Sequence, residues 1–134
     1  MSPAGLAMVG LGAGLGAVAR LLVSFAALAV LGPGFAWGTL AANVLGSFLI
    51  CLYVGTAPPP GPGERSVHLD RFVVPGFCGG FTTFSIFSLE TLLLAVEGFA
   101  AAAVYVAASL LLWLAAGWAG FLLAGRVTAG RAAA

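Results

Sequence analysis

The sequence predicts an all-α membrane protein with four transmembrane helices, of which the third is broken. Of the 134 residues, 62% are hydrophobic and only 7% are charged, which is too few charges for the surface of an ordinary soluble domain. Apolar stretches of about 20 residues, the length that crosses a bilayer, occur four times. The third stretch contains a proline and three glycines within six residues, so it is not expected to form one continuous helix.

The four spans are expected near residues 5–30, 36–56, 71–96 and 99–124, in a single membrane domain over residues 1–134. Little chain remains for a soluble catalytic or receptor domain. The N-terminal apolar run is longer than that of a cleaved signal peptide, so we interpret it as the first span. A net charge of +1 excludes a strongly basic nucleic-acid surface.

The first span contains the run GLGAGLGA at 10–17. It partly matches a dinucleotide-binding fingerprint, but that motif needs a preceding strand and an acidic residue about 20 positions later. The next acidic residue is Glu64. The same glycines form two pairs at i,i+4 spacing, Gly10 with Gly14 and Gly12 with Gly16, which favours close packing of membrane helices.

Arg20 follows this run with apolar residues on both sides. A charge within a span is costly and normally faces a partner or water. Three roles are open: the side chain reaches the membrane interface, it places a positive charge at the mouth of an anion pathway, or it anchors the end of a neighbouring helix.

Polar side chains recur at i,i+4 spacing in two other spans: Asn43 with Ser47, and Tyr105 with Ser109. Each pair shares one helical face. Such pairs can hold helices together or line a polar path. The connections at 31–34 and 97–99 are short, which predicts two tight antiparallel hairpins. The proline-rich segment 56–71, which includes His68, is expected to be a solvated loop.

The third span gives the strongest functional signal. Pro75 and its neighbouring glycines predict a break near 76–83, and the freed backbone groups must bind protein, ions or water because lipid supplies no partners. After the break, Phe84, Phe87, Ser88 and Thr91 recur at helical spacing. The two rings are compatible with core packing, but their electropositive edges also suit an anion. These residues indicate a pathway for a small ion.

Three stretches resemble the signatures of the CrcB/Fluc fluoride channel family: GAVAR at 16–20, GTLAANVLGSF at 38–48 and GFCGGFTTFSIFS at 76–88. The resemblance covers nearly the whole chain. It implies a passive channel in the cell membrane that lets cytoplasmic fluoride leave and so lowers its toxicity. It also implies four-helix subunits paired as antiparallel dimers, with a sodium ion held by main-chain carbonyls at the break.

The resemblance assigns roles to individual positions. It implies pore phenylalanines at Phe84 and Phe87, a pore asparagine at Asn43, sodium-binding carbonyls at Gly79 and Thr82, and a structural or vestibule arginine at Arg20. The remaining polar positions that it places on the fluoride pathway are Ser85, Ser88, Glu90, Tyr105 and Ser109. One departure is Ile86, where the family motif commonly has threonine and a hydroxyl is therefore missing.

The positions of the arginines predict how the chain is oriented in the membrane and therefore how it can assemble. With both termini on one side of the membrane, that side collects Arg65, Arg71, Arg126 and Arg131, and the other two loops carry none. This bias predicts one fixed orientation with the termini inside. An antiparallel pair then needs an oppositely oriented paralogue, whereas a chain that inserts both ways pairs with itself.

Other functions fit less well. A small multidrug or guanidinium exporter has a similar size but needs an ionisable acid in its binding chamber, typically on the first span, and that span carries Arg20 instead. A non-transporting helper subunit would not need a broken helix lined by phenylalanines and hydroxyls. An enzyme is not expected, because the sequence has no recognisable nucleophile with a base, acid pair or metal-binding cluster.

Overall fold

The computed structural model describes residues 2–56 and 67–132. Within these ranges the chain forms helices and no strand, in the order α1 (Pro3–Leu31), α2 (Trp37–Gly55), α3 (Val67–Arg71), a π-helical segment (Phe72–Cys78), α4 (Gly79–Phe81), α5 (Ser85–Glu97) and α6 (Phe99–Ala132). Four of the resulting spans are long and apolar enough to cross a membrane, the third being Val67–Glu97. The predicted fold class, four membrane helices with a broken third, is confirmed.

The helix ends follow local chemistry. The Ser2 hydroxyl accepts a hydrogen bond from the Gly5 amide at 3.2 Å, and Pro3 occupies the first turn, where its missing N–H costs nothing. At the other end of α1, Gly32 adopts a positive φ of 77°, a conformation that glycine reaches without a Cβ clash. Pro33 follows and prevents the helix from continuing.

The closest backbone packing lies between α1 and the third span. A Cβ at Gly12 or Gly16 would overlap main-chain atoms of the π-helical segment and α4, and a Cβ at Gly80 would overlap the Ala13 backbone. The glycines therefore let the two helices touch backbone to backbone. A Cβ at Gly10 or Gly14 would have no neighbouring atom within 4 Å, so only the second of the two predicted glycine pairs makes this contact.

The most extensive helix pairing is between α2 and α6. The Cβ position of Gly120 overlaps the Phe48 carbonyl, and that of Gly117 lies 3.3 Å from the Cys51 sulfur. The short connections bring α1 beside α2 and α5 beside α6, as expected. The larger contacts nevertheless join helices that are distant in sequence, and this crosswise packing places α2 against the broken span.

The break lies at the downstream edge of the predicted region. The chain stays helical through Pro75 and the following glycines by widening into the π-helical segment, which accommodates the missing proline N–H. It leaves helical geometry at Thr82, which is extended (φ −84°, ψ 157°). A new helix then begins at Ser85.

Apolar side chains cover the outside of the bundle. Leucine, valine and phenylalanine side chains are exposed along α1, α5 and α6, and no more than 28% of the residues in the most apolar window of any span are buried within the chain. In water such a surface would aggregate, but in a bilayer it is solvated by lipid tails. The protein is therefore a multi-pass integral membrane protein.

Replacing Gly16 with alanine is expected to destabilise the fold by about 1–3 kcal/mol, because the new methyl group must displace backbone rather than a flexible side chain. The Cβ would lie 2.8 Å from the Phe81 amide nitrogen. The measurement is thermal unfolding of the purified protein in detergent. Gly14→Ala is the matched control, since space is open there; equal losses in the two variants would contradict the backbone contact.

Candidate ion pathway and cation site

The centre of the site is a pair of hydrogen bonds between a side chain of α2 and the broken backbone. Asn43 Nδ2 donates to the Thr83 carbonyl at 2.8 Å, and the Thr83 amide donates to Asn43 Oδ1 at 2.7 Å. Asn43 is buried. One primary amide therefore satisfies both backbone groups of the residue at which the helix is interrupted, a requirement that lipid could not meet.

These bonds change the hydrogen bonding of two neighbouring backbone carbonyls. In a continuous helix the Thr83 amide would donate to the Gly79 carbonyl and the Ile86 amide to the Thr82 carbonyl. Here the Thr83 amide bonds to Asn43, and the Ile86 amide bonds to the Thr83 hydroxyl at 3.2 Å. The carbonyl oxygens of Gly79 and Thr82 are consequently released from their helical donors.

The chemistry of these two positions fits a hard cation. Released carbonyl oxygens are neutral oxygen ligands, the type that hard metal ions prefer. In the part of the chain that is described, no three or more His, Cys, Asp or Glu side chains are grouped as a metal site. A cation at the break would therefore depend on main-chain oxygens, and Gly79 and Thr82 are the residues that could supply them.

Arg20 reaches the same break from α1. Its Nε donates to the Gly80 carbonyl at 3.4 Å, and the side chain is half-buried. Of the three roles open from the sequence, anchoring a neighbouring helix end is the one this contact matches. The long, weak geometry still leaves the guanidinium charge beside the broken span, where it can attract anions.

The two phenylalanines occupy different environments. Phe87 is 5% exposed, whereas Phe84 is 70% exposed, although their ring centroids are only 5.5 Å apart. Phe87 also packs against Tyr105 and Trp113, with centroid distances of 5.2 and 4.8 Å. Tyr105 in turn meets Phe35 edge-on at 5.2 Å. An aromatic chain therefore runs from the break toward the connection between α1 and α2.

A cavity lies at each end of this aromatic chain, one lined by Phe84 and Trp113 and the other by Phe35. One of about 320 Å³ is lined by residues that include Asn43, Ser47, Thr83, Phe84 and Trp113. Another of about 250 Å³ lies at the connection between α1 and α2 and is lined in part by Thr39 and Glu90. Phe87 and Tyr105, which are both buried, belong to the part of the aromatic chain between Phe84 and Phe35.

Glu90 lines the second cavity. The Thr39 hydroxyl donates to Oε1 at 2.8 Å and the Tyr105 hydroxyl donates to Oε2 at 2.6 Å. Each carboxylate oxygen therefore receives a hydroxyl from a different helix, α2 or α6. These bonds fix the carboxylate in place and offset part of the cost of having it inside a span.

The remaining predicted positions divide between the interior and the surface. Ser109 is fully buried, one turn from Tyr105 on α6. Ser85 and Ser88 are exposed; Ser88 donates to the Phe84 carbonyl at 2.9 Å, and the Ser85 hydroxyl lies 3.3 Å from that of Thr83. Ile86 is half-buried and makes its backbone bond to Thr83.

Sequence reasoning missed four residues that complete the arrangement. Thr83, Thr39, Phe35 and Trp113 all contact predicted positions. Trp113 was within reach, because it continues the i,i+4 series of Tyr105 and Ser109 by one turn. Thr39 was equally within reach, because it precedes Asn43 and Ser47 by one turn on α2. Thr83 and Phe35 lie on no such series, and their partners, Asn43 and Tyr105, are on other helices at least 40 residues away.

A short helical bundle whose polar interior meets a broken span is typical of membrane proteins that pass small solutes. Residues 7–121 match the family described as CrcB-like protein, Camphor Resistance (CrcB), and the chain belongs to this family.

Curated relatives cover most of the chain. It is 45% identical to the protein named fluoride-specific ion channel FluC 1 of Rhodopseudomonas palustris (strain BisB18), over 90% of this chain and 86% of that one. It is 46% identical to fluoride-specific ion channel FluC of Phenylobacterium zucineum (strain HLK1), over 92% of this chain and 98% of the relative. The protein of that name from Caulobacter vibrioides is 44% identical over the same shares.

Replacing Asn43 with leucine is expected to leave the Thr83 amide and carbonyl unsatisfied, at a cost of about 1–3 kcal/mol for each group. The measurement is thermal unfolding in detergent. Thr91→Val is the control, because that hydroxyl donates to the Phe87 carbonyl of its own helix at 2.8 Å. If Asn43→Leu unfolds at the wild-type temperature, Asn43 does not support the break.

Proposed function

We propose that this chain forms a fluoride-selective channel through which cytoplasmic fluoride leaves the cell passively. The observation that carries the proposal is the broken third span, where Asn43 holds the backbone open beside Phe84 and Phe87. The names of the relatives support fluoride as the ion. Conduction requires no chemical step, so the residues act by solvating the ion and not as an enzyme.

The proposed pathway joins neutral donors with aromatic edges. A small anion must lose part of its water, and passage requires contacts that replace this water without trapping the ion. Ring edges of Phe84 and Phe87, the Asn43 amide and the Ser109 hydroxyl meet that requirement. Tyr105 lies on the same face as Ser109, but its hydroxyl donates to Glu90, so it lines the pathway with its ring. Ser85, Ser88 and Glu90 extend the polar surface at the two ends. The Glu90 carboxylate is held in place at one end by the hydroxyls of Thr39 and Tyr105.

We further infer an antiparallel dimer. Phe84, Ser85 and Ser88 form an exposed face next to the released carbonyls of Gly79 and Thr82. Lipid can cover a phenylalanine but cannot bond to the released carbonyls. A second subunit on this face would enclose these carbonyls. It would also cover the exposed Phe84, so that both Phe84 and the buried Phe87 would lie inside the assembly and line the pathway.

Sodium is the proposed structural cation at this face. The residues fit it, because Gly79 and Thr82 offer neutral oxygens of the kind that hard cations bind. Two subunits that meet at the break would contribute such oxygens jointly. The ion would then link the subunits without presenting a protein side-chain charge to the anion.

Phe84→Ile and Phe87→Ile are each expected to reduce fluoride flux by about two- to ten-fold, since an aromatic edge contact is worth about 0.5–1.5 kcal/mol and ten-fold corresponds to about 1.4 kcal/mol. Efflux from liposomes is measured with a fluoride electrode. Subunits purified in detergent can pair in either relative orientation. The flux from liposomes therefore does not depend on the orientation in which the chain inserts into the cell membrane. Phe25→Ile, at an exposed position of α1, is the control.

Wild-type liposomes without fluoride efflux would refute the proposed function. Unchanged flux in both pathway variants would refute the role of the aromatic rings in solvating the ion.

Replacing sodium with N-methylglucamine is expected to weaken dimers, because a bulky organic cation cannot be enclosed by the carbonyls. The fraction of cross-linked dimer in detergent measures this effect at constant ionic strength. Equal dimer fractions in the two salts would rule out the structural role of sodium.

Fusions after Ala134 test the orientation predicted by the arginines. Of the four, Arg65 lies outside the described residues, while Arg71 and Arg126 occupy the ends of spans on the side of the termini. We expect signal from a cytoplasmic reporter alone, and restoration of fluoride resistance in a sensitive strain only when an oppositely oriented paralogue is supplied. Comparable signals from cytoplasmic and external reporters would instead favour a homodimer.

A further inference from the structure

Two buried side-chain polar atoms in the described part of the chain have no hydrogen-bond partner: the Ser109 hydroxyl oxygen and the Trp113 indole nitrogen. They lie one turn apart on α6, so they share one helical face. Ser109 already belongs to the proposed pathway. The Trp113 indole N–H, like the Ser109 hydroxyl, is buried and has no hydrogen-bond partner.

An unsatisfied indole N–H is costly within a membrane. The indole can donate but not accept, so only an acceptor can satisfy it. Lipid tails supply none, and the nitrogen is shielded from solvent by its surroundings. Buried groups of this kind usually have a partner, and an exception calls for an explanation such as a transient ligand.

The position of Trp113 connects it to the pathway. Its ring packs against Phe87, with centroids 4.8 Å apart and planes at 69°, and the residue lines the cavity of about 320 Å³ together with Asn43, Thr83 and Phe84. Trp113 therefore lies where the cavity at the break meets the aromatic chain. Ser109 and Tyr105 continue from it toward Glu90 along α6.

We propose that the Trp113 indole N–H is a hydrogen-bond donor to the permeating anion, between the cavity at Asn43 and the hydroxyl of Ser109. This inference rests on the proposed function and assigns a further residue to the same pathway. A neutral donor that cannot accept binds an anion and gives nothing to a cation. Because the N–H carries no full charge, it can release the ion again.

The flux test compares two tryptophans of the same helix. Trp113→Phe keeps an aromatic ring but removes the N–H, and is expected to lower fluoride efflux from liposomes by about ten- to a hundred-fold, as for a lost hydrogen bond to a charged group. Trp118→Phe is the control, since Trp118 is 65% exposed and packs against Phe121. It is expected to conduct like the wild type.

A second measurement observes the donor directly. The protein has three tryptophans, so the indole ¹H–¹⁵N spectrum of the wild type has three signals, each assigned by a Trp→Phe variant. Titration with sodium fluoride is expected to shift the Trp113 signal and to leave that of Trp118 in place. Sodium chloride at equal concentration keeps sodium constant and is expected to shift neither.

The two readouts together decide the inference. A fluoride-specific shift of the Trp113 signal together with reduced flux in Trp113→Phe supports it. Normal flux in Trp113→Phe overturns it, as does reduced flux without a shift, which would indicate a packing role, or an equal shift with chloride. If Trp113→Phe does not assemble, the wild-type titration decides alone. Wild-type protein that carries no fluoride would refute the function, and this inference with it, whereas wild-type flux with an unmoved signal refutes only the inference.

Discussion

The paired hydrogen bonds between Asn43 and the Thr83 backbone are the constraint on which the rest of the site depends. A helix interrupted inside a bilayer exposes groups that cost several kcal/mol each when unsatisfied. Asn43 satisfies both groups of one residue with a single side chain. Its geometry also keeps the Thr83 amide away from Gly79, so the break persists and carbonyl oxygens remain free for other ligands.

The glycines of α1 make this arrangement possible from the opposite side. Gly12 and Gly16 let α1 lie directly against the backbone of the third span, and Gly80 returns the contact. This proximity also brings Arg20 within reach of the Gly80 carbonyl. Side-chain packing, hydrogen bonding and charge thus act on the same few residues around the break, where small displacements would alter the backbone oxygens.

The distribution of polar groups relates the single chain to its proposed assembly. Tyr105 and Thr39 satisfy Glu90 within the chain, and Asn43 is likewise satisfied. By contrast, the face that bears Phe84, Ser85 and Ser88 is open. Released carbonyls on an outer face need a polar partner in the membrane, which is the physical reason to expect a second subunit at this surface rather than at the leucine-rich outer faces.

The sequence by itself determined the membrane class and the four spans, because hydrophobic length acts locally, and its proline and glycines indicated that the third span would not be one regular helix. It also identified Asn43, Phe87 and Tyr105 as interior candidates through helical spacing.

The tertiary structure alone decided where the break falls. Pro75 and its neighbouring glycines remain helical, and the interruption occurs at Thr82 and Thr83, where a side chain from another helix competes for the backbone amide. Likewise only the packing of α2 and α6 against the third span separated buried Phe87 from exposed Phe84, and placed Thr39 and Trp113 beside the predicted residues. Such contacts join positions tens of residues apart, and no local pattern in the chain encodes which helices will meet.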